Sequence, residues 1–207
     1  MFFFQSLSLY SKIYIYTLIK YSFFIPLTFV SYHTAMKIVS CDYQYAAQIL
    51  AIFNEAIQNS TALYDYYPRT MQMMADWFEH KRKGNYPVIG LVDEDNTLLA
   101  FGTYGMFRER PAYKYTVEHS LYVHTDHRGH GYGKQILAEI IQAAKRDNYH
   151  CLVAGIDAKN EVSKKLHAAF GFKHYGHLPE VGFKFGEWLD LDFYQLILDT
   201  PLHPQDG

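Results

Sequence analysis

Apolar residues recur along this chain with two periods, and the switches between them divide it into elements. Lys37-Ile38-Val39-Ser40, within 36–41, reads as a short strand. Asp42 offers an N-cap. Ala46, Ile49, Leu50, Phe53 and Ile57 follow at helical spacing and predict a helix over about 43–59. Pro68 closes a loop, and Thr70 caps a second helix carrying Met71, Met74, Trp77 and Phe78. That helix ends in Lys81-Arg82-Lys83-Gly84, basic residues followed by glycine, which is a stop signal. Pro87–Val92 and Leu98–Phe107 alternate like strands around the turn Asp93-Glu94-Asp95-Asn96, so they form a hairpin. A polar loop with Arg108, Arg110 and Pro111 leads to a strand at Tyr115–Val123.

The second half continues the alternation. A glycine-rich loop opens a helix over about 131–147, with Ile136, Leu137, Ile140, Ile141 and Ala144 on one face. Cys151–Ile156 is an apolar strand, 160–170 a helix ended by Gly171, and Lys173–Leu178 and Trp188–Leu198 are the last strands. The order β-α-α-β-β-β-α-β-α-β-β is that of an α/β domain, a mixed central sheet with helices on both faces.

Composition narrows the class. The chain has 207 residues, 49% hydrophobic and 19% charged, which suits one globular domain rather than a disordered chain. A net charge of −2 disfavours a nucleic-acid partner, which would draw a basic surface. Two cysteines, Cys41 and Cys151, form neither a disulfide framework nor a zinc pair, so a reducing cytoplasm is the expected setting. Residues 1–35 differ from the rest, with eleven Phe or Tyr, two lysines and no acid. Lys12, Lys20 and Pro26 interrupt any membrane span, and the start lacks the basic region of a signal peptide. We expect 1–35 to be an extension outside the fold or a start-site artefact, 36–200 to be the domain, and 201–207 a tail.

The most informative segment is Leu121-Tyr122-Val123-His124-Thr125-Asp126-His127-Arg128-Gly129-His130-Gly131-Tyr132-Gly133-Lys134. A strand runs into a glycine-spaced loop that opens a helix, an arrangement that binds anionic oxygens on free N–H groups. It matches neither the Walker pattern nor Gly-x-Gly-x-x-Gly; Arg-x-x-Gly-x-Gly fits. About thirty residues on stand Asn160, a helix with Leu166-His167, and Phe170-Gly171-Phe172. Together these motifs resemble the GNAT superfamily of N-acetyltransferases. Thr116-Val117-Glu118-His119-Ser120-Leu121-Tyr122-Val123, Leu166-His167 and Gly182-Phe183-Lys184-Phe185-Gly186-Glu187-Trp188-Leu189-Asp190 resemble its phosphinothricin and methionine sulfoximine acetyltransferase branch.

The resemblance implies the GNAT fold and acetyl-CoA as co-substrate. It implies that Glu118 is the general base toward the acceptor amine. Leu121, Tyr122 and Val123 are expected to pair with the pantetheine arm. Arg128, Gly129, His130, Gly131, Tyr132, Gly133 and Lys134 are expected to hold the pyrophosphate, and Asn160 and Ser163 to contact the cofactor. His167 stands where many members carry a tyrosine acid; an acid or orienting role and a cofactor contact or packing role both stay open. Arg108 is the natural clamp for an acceptor carboxylate, with Arg110 as its rival and Tyr113, Thr116 and Lys184 as helpers. His124, His127 and His130 are spaced by threes, but their loop is already claimed by the cofactor, and no metal is expected. The expected activity is acetylation of a small amino-acid-like acceptor by a homodimer with no membrane partner. The alternatives are a protein or peptide N-acetyltransferase and a non-catalytic acyl-CoA-binding module.

Overall fold

The computed structural model describes residues 36–206. The segment 1–35, expected to stand apart from the fold, lies outside the described residues. The elements are β1 (Lys37–Ser40), α1 (Ala46–Asn59), α2 (Met71–Lys83), β2 (Val88–Val92), β3 (Leu98–Met106), β4 (Thr116–Val123), α3 (Tyr132–Arg146), β5 (Cys151–Asp157), α4 (Glu161–Ala169), β6 (Lys173–Lys184) and β7 (Glu187–Ile197). This is the predicted order.

Local chemistry explains most boundaries. The Asp42 carboxylate accepts the Gln44 N–H at 2.9 Å and starts a 3-10 turn, Tyr43–Tyr45, that runs into α1. Thr70 Oγ1 caps α2 by accepting from Met73 N–H. The end of α2 departs from expectation. Gly84 keeps φ −83°, and Asn85 takes the left-handed conformation at φ 53°. Tyr86 N–H then donates to Lys81 O at 2.9 Å and Asn85 N–H to Arg82 O at 3.2 Å, satisfying carbonyls the helix leaves open. Met71 is also not on the buried face; at the first helical position it stays exposed, and only Met74 is fully enclosed.

The seven strands are ordered β1-β2-β3-β4-β5-β7-β6. Every neighbouring pair is antiparallel except β4 with β5. Strand β6 runs on to Lys184, past the expected end at Leu178. Pro179 and Gly182 read as breakers in sequence. On an edge strand a proline has no ladder bond to lose, and the register shifts between Leu178 and Gly182 absorb it.

Two apolar layers flank the sheet. Helix α3 buries Ile136, Leu137 and Ile140 against Tyr104, Val117, Leu152 and Ile156. Helix α1 and Met74 cover the other face through Ile49, Ile52 and Phe53, packed on Val88, Leu98 and Phe101. Tyr104 is the largest fully enclosed side chain, and its hydroxyl donates to the Asp147 carboxylate. Gly102 on β3 lies directly under α3, where a Cβ would fall 2.6 Å from Ile136 Cγ2. Ile136 is branched at Cβ and cannot swing its methyl aside freely. Gly102→Ala should therefore lower stability by about 1–3 kcal/mol, read from chemical denaturation midpoints.

Candidate active site

The site forms where the sheet opens. Strands β4 and β5 pair at Thr116↔Cys151, Val117↔Leu152 and Glu118↔Val153, and at no later residue. Beyond that point β4 stays paired with β3 through Val123, so one of its edges is free. His124 N–H donates to Leu99 O on the β3 side at 2.9 Å. Alternation along the strand then turns the N–H groups of Val123 and Leu121 toward the opening. An extended ligand arm can pair with such an edge as an added strand. This is where Leu121, Tyr122 and Val123 were expected to act.

The glycine loop lies at the top of the opening. Gly129 and Gly131 both hold positive φ, 84° and 82°, and a Cβ at either would meet open space. The left-handed backbone favours glycine at both positions, and the open space leaves the chain accessible to a ligand. The N–H groups of Gly129 to Gly133 have no protein acceptor among the described residues, and Gly131 caps α3 without a side chain. Free N–H groups, the helix dipole and exposed Lys134 make an anion cradle. Arg128 is placed otherwise than expected. Its guanidinium pairs with Glu55 of α1 at 2.6 Å and reaches Val123 O at 3.4 Å, so it braces the loop against α1. His130 Nδ1 lies 3.0 Å from Arg128 O, and its ring stacks on Tyr132.

Alternation on β4 separates two sets of side chains. Glu118, Ser120 and Tyr122 face a cleft of about 660 Å³ on the α1–α2 side, together with Lys81, Arg108 and Gly155. Burial raises the Glu118 pKa above the ordinary value, and the Arg108 charge pulls it back down. A Cβ at Gly155 would lie 3.2 Å from Glu118 Oε1, so the carboxylate occupies the space a β5 side chain would fill. Burial also lowers the Lys81 pKa to about 8, while its Nζ donates to Tyr104 O at 2.8 Å.

His167 lies on the opposite face. It is 3% exposed, and Nδ1 is 2.7 Å from Ser163 O, which fixes Nδ1 as the donor. Nε2 is buried without a protein partner among the described residues, as are both nitrogens of His119. The two rings stack at 5.1 Å, and Phe172 packs on both. Burial lowers the His167 pKa and drives that of His119 to about 3. Burial thus favours the neutral form of both imidazoles, and the Ser163 contact favours the His167 proton on Nδ1.

Other expected residues divide. Asn160 caps α4, accepting Ser163 N–H at 3.0 Å, and the Ser163 hydroxyl lies 3.3 Å from His167 Nδ1. Arg108 lines the Glu118 cleft, and Arg110 does not. Tyr113 and Thr116 line a neighbouring hollow with Arg110 rather than the cleft. Lys184 is buried and donates to Ser60 O at 2.9 Å and Leu63 O at 2.6 Å. It anchors the β6–β7 hairpin to the α1–α2 connection instead of reaching an acceptor. Tyr66 reinforces that clasp by donating its hydroxyl to Phe183 O at 2.7 Å.

Lys81, Ser120 and Gly155 are cleft residues that the sequence reading passed over. Lys81 follows Met74 and Trp77 at helical spacing on the inward stripe of α2, a visible signal of a lysine aimed inward. His124, His127 and His130 do not converge; among the described residues no three His, Cys, Asp or Glu side chains are grouped to hold a metal ion. No described helix is long and apolar enough to cross a membrane. Cys41 and Cys151 are buried, unpaired thiols.

Known proteins resemble this chain in sequence and in fold. Residues 50–172 match the acetyltransferase (GNAT) family. An L-methionine sulfoximine/L-methionine sulfone acetyltransferase from Pseudomonas aeruginosa is 40% identical, over 73% of this chain and 88% of its own. The structure of an acetyltransferase from Acinetobacter baylyi is 53% identical with a TM-score of 0.83, covering 84% of this chain and 98% of that one. A GNAT phosphinothricin acetyltransferase from Sinorhizobium meliloti, solved in complex with acetyl-CoA, is 29% identical with a TM-score of 0.78, covering 82% and 92%. A family match over more than half of the residues, joined to relatives this similar across most of their length, makes the chain a member of the GNAT acetyltransferases.

Proposed function

We propose that this enzyme transfers the acetyl group of acetyl-CoA to the amine of a small amino-acid-like acceptor, of the methionine sulfoximine or phosphinothricin type, with Glu118 as general base. The observation that carries this reading is the half-buried Glu118 carboxylate in one cleft with the Arg108 charge, beside the opened edge of β4. Acetyl-CoA supplies the acyl group as a thioester. The N–H groups of Gly129 to Gly133 suit its pyrophosphate, and the free edge of β4 suits its extended arm.

An amine attacks only when neutral. Glu118 takes the ammonium proton, and its raised pKa makes it a better acceptor of that proton than an ordinary exposed glutamate. Arg108 receives the acceptor carboxylate through its two-pronged guanidinium, and Lys81 adds a second positive group at the cleft wall. N–H groups on the open edge offer donors to the carbonyl oxygen as charge develops there. His167, neutral and tied through Nδ1 to Ser163 O, orients the α4 side of the opening. A retained base in a formed cleft speaks against a module that only binds acyl-CoA. The free cysteines and acidic composition suit a cytoplasmic enzyme. A homodimer covering Phe185 and Trp188, exposed on the β6–β7 hairpin, completes the proposal.

A thiol-release assay with acetyl-CoA and methionine sulfoximine, phosphinothricin, free amino acids and peptides tests the acceptor class; turnover restricted to peptides would overturn it. Glu118→Gln should lower kcat by about 10²–10⁴-fold while leaving CoA binding intact. The carboxylate must be ionised to act, and burial raises its pKa. The acidic limb of the kcat/KM profile should therefore lie above pH 4.5, the ordinary glutamate value. Arg108→Gln should raise the acceptor KM and move that limb to higher pH, because it removes the charge that holds the carboxyl down. Gly155→Ala crowds Glu118 Oε1 and should cut kcat about tenfold with an unchanged thermal midpoint.

A further inference from the structure

The acceptor cleft has a neighbour. A second hollow of about 390 Å³ lies against it, and the two share Met106, Arg108 and Glu109. Its walls include three tyrosines, Tyr86, Tyr113 and Tyr149, and two further cations, Arg110 and Lys114, with Glu109 as the one acid. Neither cation has an ion-pair partner among the described residues; Lys114 Nζ lies only over the Tyr115 ring, at 5.1 Å. The 107–115 loop that presents them is compact, with Arg110 N–H on Arg108 O and Tyr113 N–H on Arg110 O, both at 2.9 Å.

Unpaired cations on the wall of a hollow with apolar and aromatic lining suit a ligand with an apolar body and a terminal anion. The spacing fits a particular extension. Thr116 lines this hollow and stands two residues before Glu118 on β4, a step of about 7 Å. A free amino acid ends within roughly one residue length of its amine, at Arg108. A dipeptide reaches about 7 Å from its amine to its terminal carboxylate.

We infer that the enzyme also acetylates dipeptides with a free N-terminus and an apolar C-terminal residue, the second residue seated among Tyr86, Tyr113 and Tyr149 and its carboxylate on Arg110 and Lys114. In this mode Arg108 holds the peptide carbonyl. The bond formed joins the N-terminal nitrogen to the acetyl carbon. The ammonium proton leaves through Glu118, the thioester C–S bond breaks, and the second proton lost by the nitrogen ends on the sulfur, so CoA departs as the thiol. The inference rests on the proposed acceptor chemistry and extends its substrate class.

The test compares free methionine sulfone, the dipeptide Met-Phe and the amidated Met-Phe, each with acetyl-CoA, on the unaltered enzyme and on Arg110→Gln/Lys114→Gln. Turnover of Met-Phe is expected, with a KM about tenfold higher once its carboxylate is amidated. The double variant should raise the KM for Met-Phe by a similar factor and leave methionine sulfone unchanged. Turnover of methionine sulfone without Met-Phe overturns the inference and spares the proposed function. An equal KM rise for both acceptors also overturns it, since the two cations would then serve the first residue. Turnover of neither removes the proposed function and the inference together.

Discussion

Strands β4 and β5 hold together for three residue pairs and then part, and the chemistry of the molecule depends on that separation. A parallel ladder continued to Val123 would consume the N–H groups that face the opening and would seal the space above Glu118. The stack of His119, His167 and Phe172 fills the wedge on one face. The Glu118 carboxylate, lying over a glycine, borders it on the other. Unpaired strand edges are normally a liability in a folded protein. Here the edge lies beside an anion cradle on α3, so the molecule keeps a gap in its sheet that an extended acyl carrier can close.

The outer hairpin is tied down by contacts between distant segments. Lys184 donates to two carbonyls of the α1–α2 connection, and Tyr66 returns a hydroxyl to the hairpin. Burial lowers the Lys184 pKa, and those carbonyls are its compensation for lost hydration. The same connection carries Arg69, which lies over the Phe53 ring at 4.1 Å, and Phe53 meets Tyr122 edge-on at 5.2 Å. Packed rings thus connect the anchor of the outer hairpin to the strand that carries Glu118.

What could be read from the sequence follows a physical division. Asp42, Thr70 and Asn160 were legible as caps or loop residues because capping is settled within three residues. Gly129 and Gly131 were legible as glycines spaced in a loop that opens a helix, and their left-handed backbone emerges only in the fold. Glu118 was placed by its motif, and its surroundings were not. Charged side chains were the least legible, since a sequence gives their sign and not their partner. Arg128 meets a glutamate 73 positions away, and Lys184 bonds to carbonyls more than 120 positions away. Gly155 passed unnoticed inside an apolar strand, because only the fold brings the Glu118 carboxylate against it.

The two cysteines have a practical meaning. Burial and the neighbouring Asp42 push the Cys41 thiol up to about 12, and burial raises Cys151 as well. Thiol reagents are electrophiles that react with thiolate, and the folded protein presents almost none. A disulfide reagent added to a working enzyme therefore registers the sulfur of spent CoA with little colour from the protein. The same reagent counts two thiols when the chain unfolds, so one chromophore reports both turnover and the integrity of the fold that supports it.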